Sequence, residues 1–154
     1  MDIKLTSTAF ADNGIIPSKY TCDGINVSPP LSWRTDAQGI KSFVLVCDDP
    51  DAPAGDWAHW IIYDMPANVR EIREDCNANR NLPDGAQMGI NDFHKIAYGG
   101  PCPPSGTHRY HFKIYAVDKI LHLKAGAPKR EVLEAMDKHI IAEGLLIGKY
   151  KRSK

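Results

Sequence analysis

Two short stretches concentrate the side chains of this chain that can do chemistry. In "DDPDAPAGDWAHW" the carboxylates Asp48, Asp49, Asp51 and Asp56 crowd ahead of His59, and in "GGPCPPSGTHRY" His108 and Tyr110 follow a run of glycine and proline. Carboxylates, imidazoles and a phenol can exchange protons, hold a metal or bind a charged ligand. A third stretch, "YTCDGINVSPPLSW" (Tyr20 to Trp33), is another Gly and Pro loop that runs into a short apolar strand. Loops at strand ends are where function concentrates. Asp, Gly and Pro are equally turn residues, so each stretch taken singly also reads as a plain turn, with His108 merely hydrogen-bonded at the start of a strand.

The elements that must position these side chains are mostly strands. "SFVLVCDD" (Ser42 to Asp49) is a nearly continuous apolar run, expected of a strand covered on both faces, and "HWIIYDM" (His59 to Met65) is similar. "HRYHFKIYAVD" (His108 to Asp118) alternates, with Tyr110, Phe112, Ile114 and Ala116 on one face; parity places His108 beside Tyr110. Ahead of it, glycine permits close approaches and proline removes donors, which predicts that Gly99 to Gly106 is a shaped, non-pairing wall. The spacing predicts one helix in "PKREVLEAMDKHIIAEG": Pro128 opens it, Val132, Leu133, Met136 and Ile140 form its stripe, and Gly144 ends it. "LLIGKYK" (Leu145 to Lys151) then reads as a final strand with a bulge or bend at its glycine. The class is mainly β with helix at the periphery.

Composition narrows the function. The chain has 154 residues with 19 Lys+Arg against 19 Asp+Glu, which suits one domain spanning residues 1–154 and gives no electrostatic reason to bind nucleic acid or an anionic membrane. The start lacks the basic and apolar regions of a signal peptide, and no apolar run reaches the roughly 18 residues of a spanning helix, so a cytoplasmic protein without stable membrane insertion is expected. Cys22, Cys47, Cys76 and Cys102 are widely spaced with no CxxC, and free thiols are the default expectation.

Taken together, "TCDGINVSPPLSW", "DDPDAP" followed by "WAHWIIYDMP", and "YGGPCPPSGTHRYHFKIYAVD" resemble, in order and over nearly the whole chain, the three blocks of the phosphatidylethanolamine-binding protein family, in its short branch related to Raf kinase inhibitor protein. The resemblance implies a Greek-key two-sheet β fold with a peripheral C-terminal helix. It also implies a small pocket at one end of the sheets for phosphate-bearing head groups or phosphorylated ligands. Carried over residue by residue, the ligand-binding positions are Asp49, Asp51, His59, His108 and Tyr110, with Pro101 and Pro103 or Pro104 lining the wall. No catalytic residue, metal or cofactor is implied.

Those residue types suit an anion. Two imidazoles, a phenol and backbone amides can supply the donors a phosphate needs, more strongly if an imidazole is charged. The aspartates either orient the histidines as hydrogen-bond acceptors or pair with an ethanolamine ammonium. Asp48, adjacent to Asp49 on a strand end, should face the other way. Longer eukaryotic members carry a further C-terminal segment near the pocket, and with "GKYKRSK" at the end of this sequence no gate of that kind is expected. The rival functions are a protein inhibitor of a kinase or protease acting through surface loops, a serine hydrolase using Ser105, and a metalloenzyme using His59, His108 and Asp49. Neither a GxSxG elbow nor an HExxH spacing supports the last two. A homodimer is permitted but not required.

Overall fold

An apolar run such as Phe43 to Cys47 has no polar side to show to water and must be sandwiched. The computed structural model describes residues 2–152. Its strands are β1 (Lys4–Thr6), β2 (Gly14–Ile15), β3 (Leu31–Arg34), β4 (Ser42–Asp49), β5 (Trp57–Pro66), β6 (Glu71–Ile72), β7 (Gln87–Met88), β8 (His108–Val117) and β9 (Ile140–Tyr150), with one helix, α1 (Lys129–Met136). They form a three-stranded sheet in the order β1-β3-β6 and a six-stranded sheet in the order β2-β9-β8-β4-β5-β7. All pairings within the two sheets are antiparallel except β2 with β9.

β4, between β8 and β5, is buried along its whole length. Its alternate side chains enter two cores. Phe43, Leu45 and Cys47 pack with Leu5, Trp33 and Ile72 between the sheets, while Val44 and Val46 pack with Ile61, Tyr63 and the Val132 and Met136 of α1 on the outer face. Both faces of the large sheet are therefore dry at its centre, as the sequence run requires. Parity in β8 follows the same logic: Tyr110, Phe112, Ile114 and Ala116 are buried on one face. No helix of the described residues is long and apolar enough to cross a membrane.

Two sequence expectations are corrected here. The helix does not run from Pro128 to Gly144 but stops at Met136, because Lys138 takes a left-handed φ of 68° and the chain from Ile140 pairs along β8 instead. Leu133 and Ile140, assigned to the helical stripe, are exposed, and only Val132 and Met136 face the core. Helical spacing over Val132 to Ile140 is outweighed by a strand ladder that satisfies the backbone from Ile140 to Tyr150. The glycine of the final strand, Gly148, makes no bulge either: it pairs regularly with Tyr110, and a Cβ there would strike the side chains of Ile16 and Phe10.

Candidate functional site

The carboxyl end of β4 and the amino ends of β5 and β8 meet at one end of the large sheet, because both neighbours run antiparallel to β4. A register shift between Cys47 and Asp48 against β5 marks the place where the ladder opens into a loop. There a cavity of about 250 Å³ is lined by Asp49, His59, His108 and Tyr110 together with Pro103 and Pro104. Ala52, Pro53, Ala54, Trp57, Phe93 and Cys102 complete the lining.

Asp49 is 3% exposed, and both of its oxygens are turned onto the protein. Oδ1 accepts the backbone N–H of Asp51 at 2.8 Å and closes the turn after β4; Oδ2 accepts from His108 Nδ1 at 2.6 Å. His59 Nδ1 lies 2.6 Å from the carbonyl oxygen of Gly99. A carbonyl only accepts, so this nitrogen carries the hydrogen, and in the neutral ring Nε2 is left as an acceptor. Burial pushes the His59 pKa below the usual imidazole value, against the Gly99 hydrogen bond and the charges of Asp49, Asp48 and Asp92. His59 therefore rests neutral at pH 7.

Tyr110 is fully buried, and its Oη has no hydrogen-bond partner among the described residues. Burial first, and the neighbouring Asp49 second, raise the phenol pKa far above its ordinary value, so Oη keeps its proton. Two rings flank Tyr110: His59 meets it edge-on at 5.2 Å and His108 stacks with it at 6.5 Å, while Phe93 in turn meets His59 edge-on at 5.2 Å. Among the described residues no three His, Cys, Asp or Glu side chains converge to hold a metal ion.

The structure brings together Asp49, His59, His108, Tyr110, Pro103 and Pro104, and it corrects two of the expected positions. Asp51 does not line the cavity, because Arg109 claims it through Nε at 2.9 Å, Nη2 at 2.8 Å and its backbone N–H at 2.9 Å. That partner holds the Asp51 carboxyl down at about 2. Pro101 lies behind the wall, with its carbonyl accepting from Cys22 N–H at 3.1 Å. Asp48 faces the opposite side of β4, where Lys129 Nζ meets it at 2.6 Å and Lys113 at 3.5 Å.

Free thiols were expected throughout, yet Cys22 and Cys102 form a disulfide across 80 residues of sequence. Their loops face each other across the end of the sheet, a proximity that spacing along the chain does not encode. Phe93 was missed as well. Its loop is organised by the buried Asn91, whose Oδ1 accepts from Phe93 and Lys95 and whose Nδ2 donates to the Ala97 carbonyl, and "NDFHK" carries no distinctive signal of that role.

A larger open groove of about 1230 Å³ crosses the three-stranded sheet, lined by Lys4, Arg34, Arg70 and Arg73 but also by Glu71 and Asp84. Arg70 is already engaged there by the Phe43 ring at 5.0 Å and by the carbonyls of Ala67 and Val69. The groove also holds an unpaired buried donor, Trp33 Nε1, but its charged groups are all exposed; the small cavity is the better candidate because Asp49, His59, His108 and Tyr110 are buried and converge on it.

Comparison with known proteins matches residues 6–151 to the family model described as phosphatidylethanolamine-binding protein. A protein of Methanothermobacter thermautotrophicus named UPF0098 protein is 50% identical over 150 residues, covering 97% of this chain and 99% of that one. Among solved structures, a Chlamydia trachomatis protein described as a homolog of phosphatidylethanolamine-binding protein superposes with a TM-score of 0.90 at 40% identity, over 99% of each chain. YbcL of E. coli, described as a new member of the mammalian family, gives 0.91 at 30% identity over 99% of this chain and 100% of its own.

Proposed function

The chain belongs to the phosphatidylethanolamine-binding protein family, and from that premise we propose that its cavity is a non-catalytic binding site for a small phosphate-bearing anion. One observation carries this reading: the buried Tyr110 hydroxyl keeps its proton and has no acceptor for it among the described residues, since the Cys102 N–H beside it can only donate, and this points to a ligand acceptor that completes it. A buried donor left unmet costs about 1–3 kcal/mol, which a bound oxyanion would recover.

The surrounding groups favour an anion over an ammonium. Both Asp49 oxygens are occupied by Asp51 and His108, so the carboxylate orients a ring and closes a turn instead of presenting itself to a cation. Nε2 of His59 and of His108 has no protein partner among the described residues, and each becomes a charge-assisted donor when its ring is protonated. Trp57, Phe93, Pro103 and Pro104 give the carbon end of a head group an apolar wall. The volume suits a head group and not acyl chains.

Binding without turnover is supported by the lining itself. It offers no serine or threonine hydroxyl, and the one cysteine in it is locked in a disulfide. A second reading is favoured by the Asp49–His108 pair, which has the geometry of an oriented general base; it requires consumption of a phosphoester.

The test is calorimetric titration of wild type and Tyr110→Phe with phosphate and phosphoethanolamine, each incubation also assayed for released phosphate. Saturable binding without turnover is expected, weakened about fivefold in Tyr110→Phe, the worth of roughly one hydrogen bond. Equal affinity of the two proteins overturns the role of Tyr110, and turnover lost in His108→Gln would establish the second reading instead.

A further inference from the structure

We propose that the Cys22–Cys102 disulfide is a redox-controlled clamp on the cavity wall, which holds residues 102–107 in place when oxidised and releases them, with loss of phosphate affinity, when a dithiol reductant opens it. Its effect on affinity presupposes the anion-binding role of the cavity; its effect on the wall does not.

The two sides of the bridge are held very differently. On the Cys22 side, the N–H groups of Thr21, Gly24 and Asn26 all donate to backbone carbonyls, and Cys22 donates to the Pro101 carbonyl. Tyr150 Oη donates to Asp23 at 2.6 Å, and Tyr98 Oη donates to the Tyr20 carbonyl at 2.6 Å. This loop is fixed without help from the sulfur. On the other side the lacing ends at Pro101. From Pro103 to Thr107 no hydrogen bond among the described residues ties the chain to anything, Pro103 and Pro104 have no N–H to offer, and the Cys102 N–H faces only the Tyr110 hydroxyl, too loosely for a well-formed hydrogen bond. Backbone pairing resumes at His108, the first residue of β8. Among the described residues the disulfide is thus the one covalent tie of the segment that carries the Pro103 and Pro104 wall, beside the packing of the buried Pro103.

Its chemistry is confined to this pair. Cys22 and Cys102 are both half-buried, whereas Cys47 and Cys76 are buried, with their thiol pKa values pushed up by burial, to about 12 for Cys76. Thiols held in that way form little thiolate and do not reshuffle the bridge. In the opening reaction a thiolate of the dithiol attacks one sulfur and the S–S bond breaks. The other cysteine leaves as thiolate and takes up a proton. The second thiol of the reductant resolves the mixed disulfide, so that the protein gains two electrons and two protons and the reductant becomes a disulfide. A wall that must then be ordered by the ligand costs affinity.

The test compares oxidised wild type, wild type reduced with dithiothreitol, and Cys22→Ser, which removes the bridge without altering a lining residue. Circular dichroism identifies folded samples, and reduction of the wild type decides should the variant not fold. Nitrogen-15 relaxation of the Cys102, Ser105, Gly106 and Thr107 amides should show ordered backbone only in the oxidised protein, and phosphate should bind about tenfold more weakly once the bridge is open. Equal wall order in both states, or equal phosphate affinity, overturns the clamp. Absence of phosphate binding to the oxidised protein sinks the anion reading alone, and the relaxation data then decide the clamp.

Discussion

His59 combines burial, a hydrogen bond to a carbonyl and a position on the cavity, and these give its titration two opposite consequences. Its folded pKa lies below the unfolded value near 6.5, so the folded state prefers the neutral ring. Between the two values the unfolded chain binds the extra proton, and stability present above about pH 6.5 declines as pH falls towards the folded pKa. A bound anion reverses the preference, because it favours the protonated ring; binding must then take up a proton, and affinity should rise as pH falls through the same window. Urea melts of the ligand-free protein and calorimetric titrations with phosphate, corrected for the ligand's own ionisation, should slope in opposite directions in the wild type. Both slopes should be reduced in His59→Gln; an affinity that is flat with pH would show that His59 stays neutral in the complex. The candidate positions Asp49, His59, His108 and Tyr110 were legible through the family resemblance carried by their motifs, with strand parity putting His108 beside Tyr110 and loop ends bringing the rest to one end of the sheet. Asp51 was misread because residue type and place in a loop do not reveal a competing partner, here Arg109.

Among the elements, β4 and β8 could be read from their burial patterns, since a strand covered on both faces and a strand with one buried face write different periodicities. The segment from Asp137 to Gly144 could not, because its spacing fits a helix and only the β8 ladder decides otherwise. Gly144 separates the two descriptions experimentally. In a helix, replacement by alanine would be neutral or helpful. In β9 a Cβ would collide with the Ile3 carbonyl, which belongs to a chain segment that cannot easily retreat. Gly144→Ala should therefore destabilise the protein by about 1–3 kcal/mol, as other overpacking substitutions do, and an unchanged urea midpoint would contradict the close approach. On the far face of β4, Lys129 anchors α1 to the buried Asp48. Lys129→Ala leaves that carboxylate with Lys113 at 3.5 Å and should cost about 1–3 kcal/mol while leaving phosphate affinity unchanged. A large loss of affinity in a folded Lys129→Ala protein would mean that the two faces of β4 are coupled.

Across the whole molecule, the fold class was visible in the sequence because alternating and continuous apolar runs dominate it, while the disulfide was invisible because its partners are 80 residues apart and meet only through the folded sheet. Closing a loop of that size restricts the unfolded chain, so reduction should lower stability by about 2–4 kcal/mol, measurable as a lower urea midpoint with a steeper slope, because the reduced unfolded chain is less compact. The molecule also offers an anion two places to go: the small cavity at the end of the six-stranded sheet and the larger groove with its arginines over the three-stranded one. Charge alone would favour the groove, whereas the convergence of buried polar groups on the Tyr110 hydroxyl favours the cavity. A crystal structure grown in phosphate decides between them. It should show the anion within about 3 Å of Tyr110 Oη and in reach of Nε2 on His59 and His108, with Asp49 still turned onto His108 and Asp51; phosphate bound only among Arg34, Arg70 and Arg73, with the cavity unoccupied, would contradict the account.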